Sequence, residues 1–149
     1  MHVTAHAGEW DSGKNVWHAI QELGAERIGH GIRVLESPEA VELAFKRGTA
    51  FEVCVTSNYQ SGAVADLKSH PLLGMLENGL NATINTDDPS ISQITLSDEY
   101  RLACETLGLS LETLHGRVHA AAQAAFLTDH ERQKLTKRID DGFDELTTG

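Results

Sequence analysis

The chain has 149 residues, 40% of them hydrophobic and 23% charged, with 12 Lys and Arg against 22 Asp and Glu and a formal net charge of −10. That balance belongs to a folded domain long enough to bury a core, and a surface this acidic repels phosphate backbones, so no nucleic-acid partner is expected. The chain shows no run of 18 apolar residues, no basic or apolar leader in Met1-His2-Val3-Thr4-Ala5-His6, and only Cys54 and Cys104, without CxxC spacing; these features predict no membrane span, no secretory signal, no disulfide framework and a reducing, cytoplasmic setting.

Strand and helix patterns then alternate along the chain. The opening strand has Thr4 and His6 on one face and Val3 and Ala5 on the other. Val16, Trp17, Ile20 and Leu23 recur at helical spacing, with Gly24 placed to stop the helix. Arg27 to Gly31 reads as a short strand entering a loop. Ser37 and Pro38 fit the N-cap and first position of a helix carrying Val41, Ala44 and Phe45 and ending at Gly48. Ala50 to Val55 predicts a third strand, followed by a polar loop from Thr56 to Gly62. Pro71 opens a helix with Leu72, Leu73, Met75 and Leu76, closed at Gly79; Asn81 to Asn85 predicts a fourth strand running into Thr86-Asp87-Asp88-Pro89. Three helical stretches finish the chain, with Ser97 and Ser110 as expected N-caps of the first two and a Thr128/Glu131 capping box on the third. The acidic stretch Asp140 to Glu145 reads as a solvated tail.

Strands alternating with helices at this spacing imply βαβ units and a parallel sheet. His6, His30 and Asp87 each stand at the C-terminal end of a strand, the rim where parallel α/β folds build their sites. A complete (β/α)8 barrel takes about 250 residues. Four units plus C-terminal helices therefore predict an α/β fold equal to the second half of such a barrel.

Three motifs on that rim carry candidate chemistry. In His6-Ala7-Gly8-Glu9 an imidazole can offer nitrogen to a divalent metal, and a carboxylate three residues on can reach a substrate beside it; a hydrogen-bonded structural histidine is the plain alternative. In Gly29-His30-Gly31 the flanking glycines expose the ring, or merely make a tight turn. In Asn85-Thr86-Asp87-Asp88-Pro89 two adjacent carboxylates repel unless a cation or donors hold them, although an Asp-Asp-Pro turn is common in exposed loops.

Taken together, in identity and order, these motifs resemble the adenosine deaminase family of the amidohydrolase superfamily, following the fifth, sixth and eighth barrel strands; Thr56-Ser57-Asn58 resembles the family's segment after the seventh. The resemblance runs from His2 to about Phe143. It implies a zinc enzyme in which His6 and Asp87 are metal ligands and Glu9 protonates N1 of the purine. His30 would orient the zinc-activated water, take up its proton and steady the oxyanion, while Asp88 would bind purine N7. The implied reaction is hydrolytic deamination of adenosine or 2′-deoxyadenosine, releasing inosine (or its deoxy form) and ammonia; deamination of adenine or another aminopurine is the alternative within the fold.

The departures are informative. The family's His-x-His pair at the end of the first barrel strand has no counterpart in this sequence, and catalytic zinc normally takes three or more protein donors. The expectation is a catalytic domain represented by its C-terminal half, binding zinc weakly and turning over little by itself. Its free sheet edges and a wide apolar face would favour self-association or a complementing N-terminal half-barrel. Val55 stands where many members carry proline. His115 and His119 have i, i+4 spacing without an acidic residue between them, unlike His-Glu-x-x-His; His18, His70 and His130 sit among polar residues with no assigned role, and Trp10 and Trp17 read as packing residues. A cytidine-deaminase-like reading is set aside because its His-x-Glu and Pro-Cys-x-x-Cys signature does not occur.

Overall fold

Four short strands form one parallel sheet in the order β1-β2-β3-β4: Thr4–Ala7, Arg27–His30, Ala50–Val53 and Asn81–Ile84. This computed structural model describes residues 1–148, with side chains through 145. Helices α1 (Lys14–Gln21), α2 (Pro38–Arg47) and α4 (Leu72–Glu77) cross over between strands. Helix α3 (Val55–Gln60) caps the end of β3, and α5 (Pro89–Ser92), α6 (Leu96–Glu105), α7 (Leu111–Ala124) and α8 (Asp129–Thr148) follow β4. The arrangement is an open, partial α/β barrel.

The parallel register explains where the core lies. Ala5, Ile28, Phe51 and Ala82 form one lateral row. Ile28, Phe51 and Ala82 are fully buried and pack with Val16, Ala40, Leu72 and Met75 from the covering helices. The neighbouring rows, Thr4-Arg27-Ala50-Asn81 and His6-Gly29-Glu52-Thr83, point to the concave face. That face is polar: Arg27 donates to Thr4 and lies 3.4 Å from Glu52, and Thr83 donates to the Phe51 carbonyl. The inward positions are polar because they carry the residues that lead up to the rim.

Several boundaries follow the capping residues. Ser37 accepts from the Ala40 amide with Pro38 at N1, and Gly48 adopts a left-handed C-cap. Ser110 accepts from Thr113, and the Thr128/Glu131 box forms in both directions. Others differ from expectation. Thr95, not Ser97, caps α6, because Asp98 lies three residues after Thr95 and closes a capping box. The predicted loop after β3 is helix α3. Leu23 lies beyond α1 and is 64% exposed, and Trp10 is 59% exposed, so neither packs in the core. The acidic segment 140–145 is part of α8, and Asp140 accepts from His115 at 2.9 Å, with His119 at 4.0 Å; the i, i+4 pair thus has its acidic neighbour on another helix. Among the described residues no helix is long and apolar enough to cross a membrane.

Candidate active site at the strand ends

The rim is built where the backbone leaves the sheet. His30 and Asp87 both have positive φ, 62° and 60°, a conformation that non-glycine residues seldom adopt and that His and Asp tolerate better than most. Gly29 permits a close approach: a Cβ there would sit 2.5 Å from Cδ2 and 2.8 Å from Nε2 of His6. The His6 ring therefore lies directly on the β2 backbone, edge-on to His30 with ring centroids 5.0 Å apart.

His6, Glu9 and His30 each offer one ligand atom, all within 4.8 Å of one another. Nε2 of His30 lies 3.6 Å from Glu9 Oε2 and 3.9 Å from Asp87 Oδ2. His30 is buried (2% exposed) while Glu9 is half-buried. His6, His30, Cys54, Asn85 and Asp87 line a common cleft of about 310 Å³. Asp87 is not part of the close trio, and its Oδ2 accepts from Ser57 at 2.7 Å. Asp88 stays apart, exposed, with its carboxylate accepting from the Ile91 amide as the N-cap of α5. Imidazole and carboxylate donors of this kind fit a divalent cation of zinc's class. Burial, reinforced by the Asp87 and Glu99 charges, raises the Cys54 pKa and favours its thiol form.

Helix α3 organises these groups, and the sequence did not announce it. Asn58, fully buried, donates to His30 Nδ1 at 3.0 Å and to Glu9 Oε1 at 3.5 Å, next to Ser57 on Asp87. Glu99, with no exposed surface, accepts from the Val55 and Thr56 amides at 3.0 and 3.1 Å, capping α3 from 44 residues away. Burial raises the Glu99 pKa, and the two amides and the Thr56 side chain oppose that shift. Valine at position 55 keeps an amide N–H for Glu99, which a proline there would lack. His70, 5% exposed, approaches the other end of the Asn58 amide: Nε2 lies 3.2 Å from Oδ1, and Nδ1 accepts from the Leu72 amide at 3.1 Å. In the sequence His70 and Glu99 look like polar surface residues, and only the Pro71 turn hints that His70 is held.

Comparison with known proteins is consistent with this geometry. The adenosine deaminase family profile matches residues 1–142. The adenosine deaminases of Erwinia tasmaniensis and Escherichia coli are each 40% identical over 93% of this chain, which spans 42% and 41% of their lengths. The adenine deaminase of Arthrobacter aurescens superposes with a TM-score of 0.91 at 28% identity, over 97% of this chain and 44% of its own. An amidohydrolase from Burkholderia ambifaria solved with bound zinc gives 0.90 at 26% identity, over 99% and 42%. The four β/α units and C-terminal helices are thus the second half of a (β/α)8 barrel, spanning less than half the length of the relatives matched. On the match over nearly its whole length, the chain belongs to the adenosine deaminase family.

Proposed function

We propose that the chain carries the C-terminal half of a catalytic domain that deaminates adenosine and 2′-deoxyadenosine by hydrolysis, releasing ammonia. The observation that carries this reading is the convergence of His6, Glu9 and His30 within 4.8 Å, with Asp87 facing His30 across one cleft. His6 and Asp87 would hold zinc, whose Lewis acidity makes water nucleophilic near neutral pH. Glu9 delivers a proton to purine N1. His30 would hydrogen-bond the oxygen that adds at C6, the ionised Asp87 carboxylate 3.9 Å from its Nε2 would take up the proton that the water sheds, to leave with ammonia, and Asp88 would hold N7 once its side chain turns from the α5 cap. Two ligands are too few for a catalytic zinc site, so a complementing N-terminal half-barrel would supply the rest; that partner, a purine nucleoside and the metal are the proposed company of this chain.

The similarity to an adenine deaminase favours a second reading, the free base as substrate. The test is to mix the chain with zinc and the N-terminal half of the Erwinia relative, and to follow adenosine and adenine in parallel. Turnover of adenosine by the mixture, little by the chain alone, and loss with Glu9→Gln are expected. Adenine turnover without adenosine turnover selects the second reading. An assembled, zinc-loaded barrel that deaminates neither refutes both.

A further inference from the structure

One unambiguous donor fixes the protonation pattern of a chain of side chains reaching the cleft. The Leu72 backbone N–H can only donate, and it points at His70 Nδ1, 3.1 Å away, so that nitrogen carries a lone pair. His70 is 5% exposed, and burial pushes its pKa down to about 4, leaving the ring neutral near pH 7. Its single proton is therefore on Nε2, which donates to Asn58 Oδ1 at 3.2 Å. That contact settles the orientation of the Asn58 amide without appeal to the assigned atom names. The amide nitrogen is then the end that meets His30 Nδ1, at 3.0 Å, and an amide NH₂ has only protons to offer.

We propose that His70 and Asn58 are positioning residues that hold His30 in its Nε2-protonated tautomer, so that the ring presents an N–H and not a lone pair to the cleft. Nε2 faces Glu9 Oε2 at 3.6 Å and Asp87 Oδ2 at 3.9 Å, both of which are acceptors when ionised. Nothing in this requires a metal or a substrate. Where the deamination reading holds, on which this consequence rests, His30 stabilises negative charge on oxygen by donating a hydrogen bond. It is not the group that takes up a proton at Nε2, because in this tautomer that nitrogen already carries one.

The test is the ring nitrogens themselves. The full chain is labelled with ¹⁵N-histidine, and long-range ¹H–¹⁵N correlations are recorded at pH 7. The expected His30 pattern is a pyridine-type signal from Nδ1 and a pyrrole-type signal from Nε2. Asn58→Asp replaces the amide nitrogen by an acceptor, so the two signal types should exchange between the His30 nitrogens. His70→Phe, which frees the amide to turn, should average them. The His115 and His18 signals, remote from the network, report the fold in both variants. A wild-type His30 with its proton on Nδ1, or with averaged signals like those of a solvated histidine, overturns the proposal. So does an unchanged His30 pattern in an Asn58→Asp chain whose remote signals are intact; should that variant not fold, the wild-type pattern and His70→Phe decide. Failure here leaves the deamination reading standing, since that reading fails only by lack of turnover in the assembled barrel.

Discussion

Acidification should unfold this protein partly through one buried imidazole. His70 is held neutral by burial, with its folded pKa pushed down to about 4 from an ordinary 6.5. A group whose folded pKa is depressed contributes its full stability above the unfolded value and loses it as pH falls toward the folded one. The window is therefore pH 6.5 down to about 4, and 1.36 kcal/mol for each of about 2.5 pH units gives ~3 kcal/mol. His70→Gln removes the titrating ring while keeping a polar side chain of similar reach. Urea unfolding at pH 7 and pH 4, followed by circular dichroism, should show the stability advantage of wild type over the variant shrinking by about that ~3 kcal/mol. A wild-type advantage that is the same at both pH values would refute the assignment of a buried, neutral His70.

The remaining predictions concern the rim and the core. Gly29→Ala places a methyl 2.5 Å from the His6 ring; we expect a folded protein in which zinc affinity, read by titration, and kcat/KM of the assembled barrel both fall, the latter roughly 100-fold for a ring moved by about 1 Å. Glu99→Ala strands the Val55 and Thr56 amides, and should destabilise the chain in urea by ~2–5 kcal/mol, whereas Glu99→Gln, which keeps an acceptor, should lose less. Phe51→Ala empties a fully buried position at the centre of the sheet and should cost ~3–5 kcal/mol by the same measurement. His115→Ala, which removes a partly exposed pair with Asp140 on α8, should change stability by about 1 kcal/mol or less at neutral pH.

What the sequence made legible was governed by short-range chemistry. Ser37-Pro38 and Gly48 bracket α2 because a cap, a preset φ and a left-handed turn act within a few residues. The rim motifs were legible for a similar reason, since His6 and His30 lie in the last two positions of their strands and Asp87 follows β4 by three residues. Helix α3 was not, because Val55, Thr56, Ser57 and Asn58 favour strands or turns locally. Its N-terminus is held instead by Glu99, 44 residues away, and no local pattern encodes a partner so distant. His70 is illegible on the same ground: flanked by Ser69 and Pro71 it looks solvated, and its partner Asn58 lies on another element. Asp140 is likewise illegible as the neighbour of His115 and His119, because i, i+4 spacing relates residues of one helix and Asp140 lies on another.

The polar lining of the sheet's hollow side changes what kind of complement the half-shell would accept. Grease would admit many partners loosely. Here β1 and β4 each pair with one strand among the described residues, so the open bonding capacity lies in two rows of amides and carbonyls with a fixed direction and spacing. A segment in step with that spacing could zip onto either row while leaving Arg27, Glu52 and Thr83 wetted or paired. Selectivity of assembly would then be written in backbone phase, and high salt, which strengthens apolar clustering, should do little to promote mismatched unions.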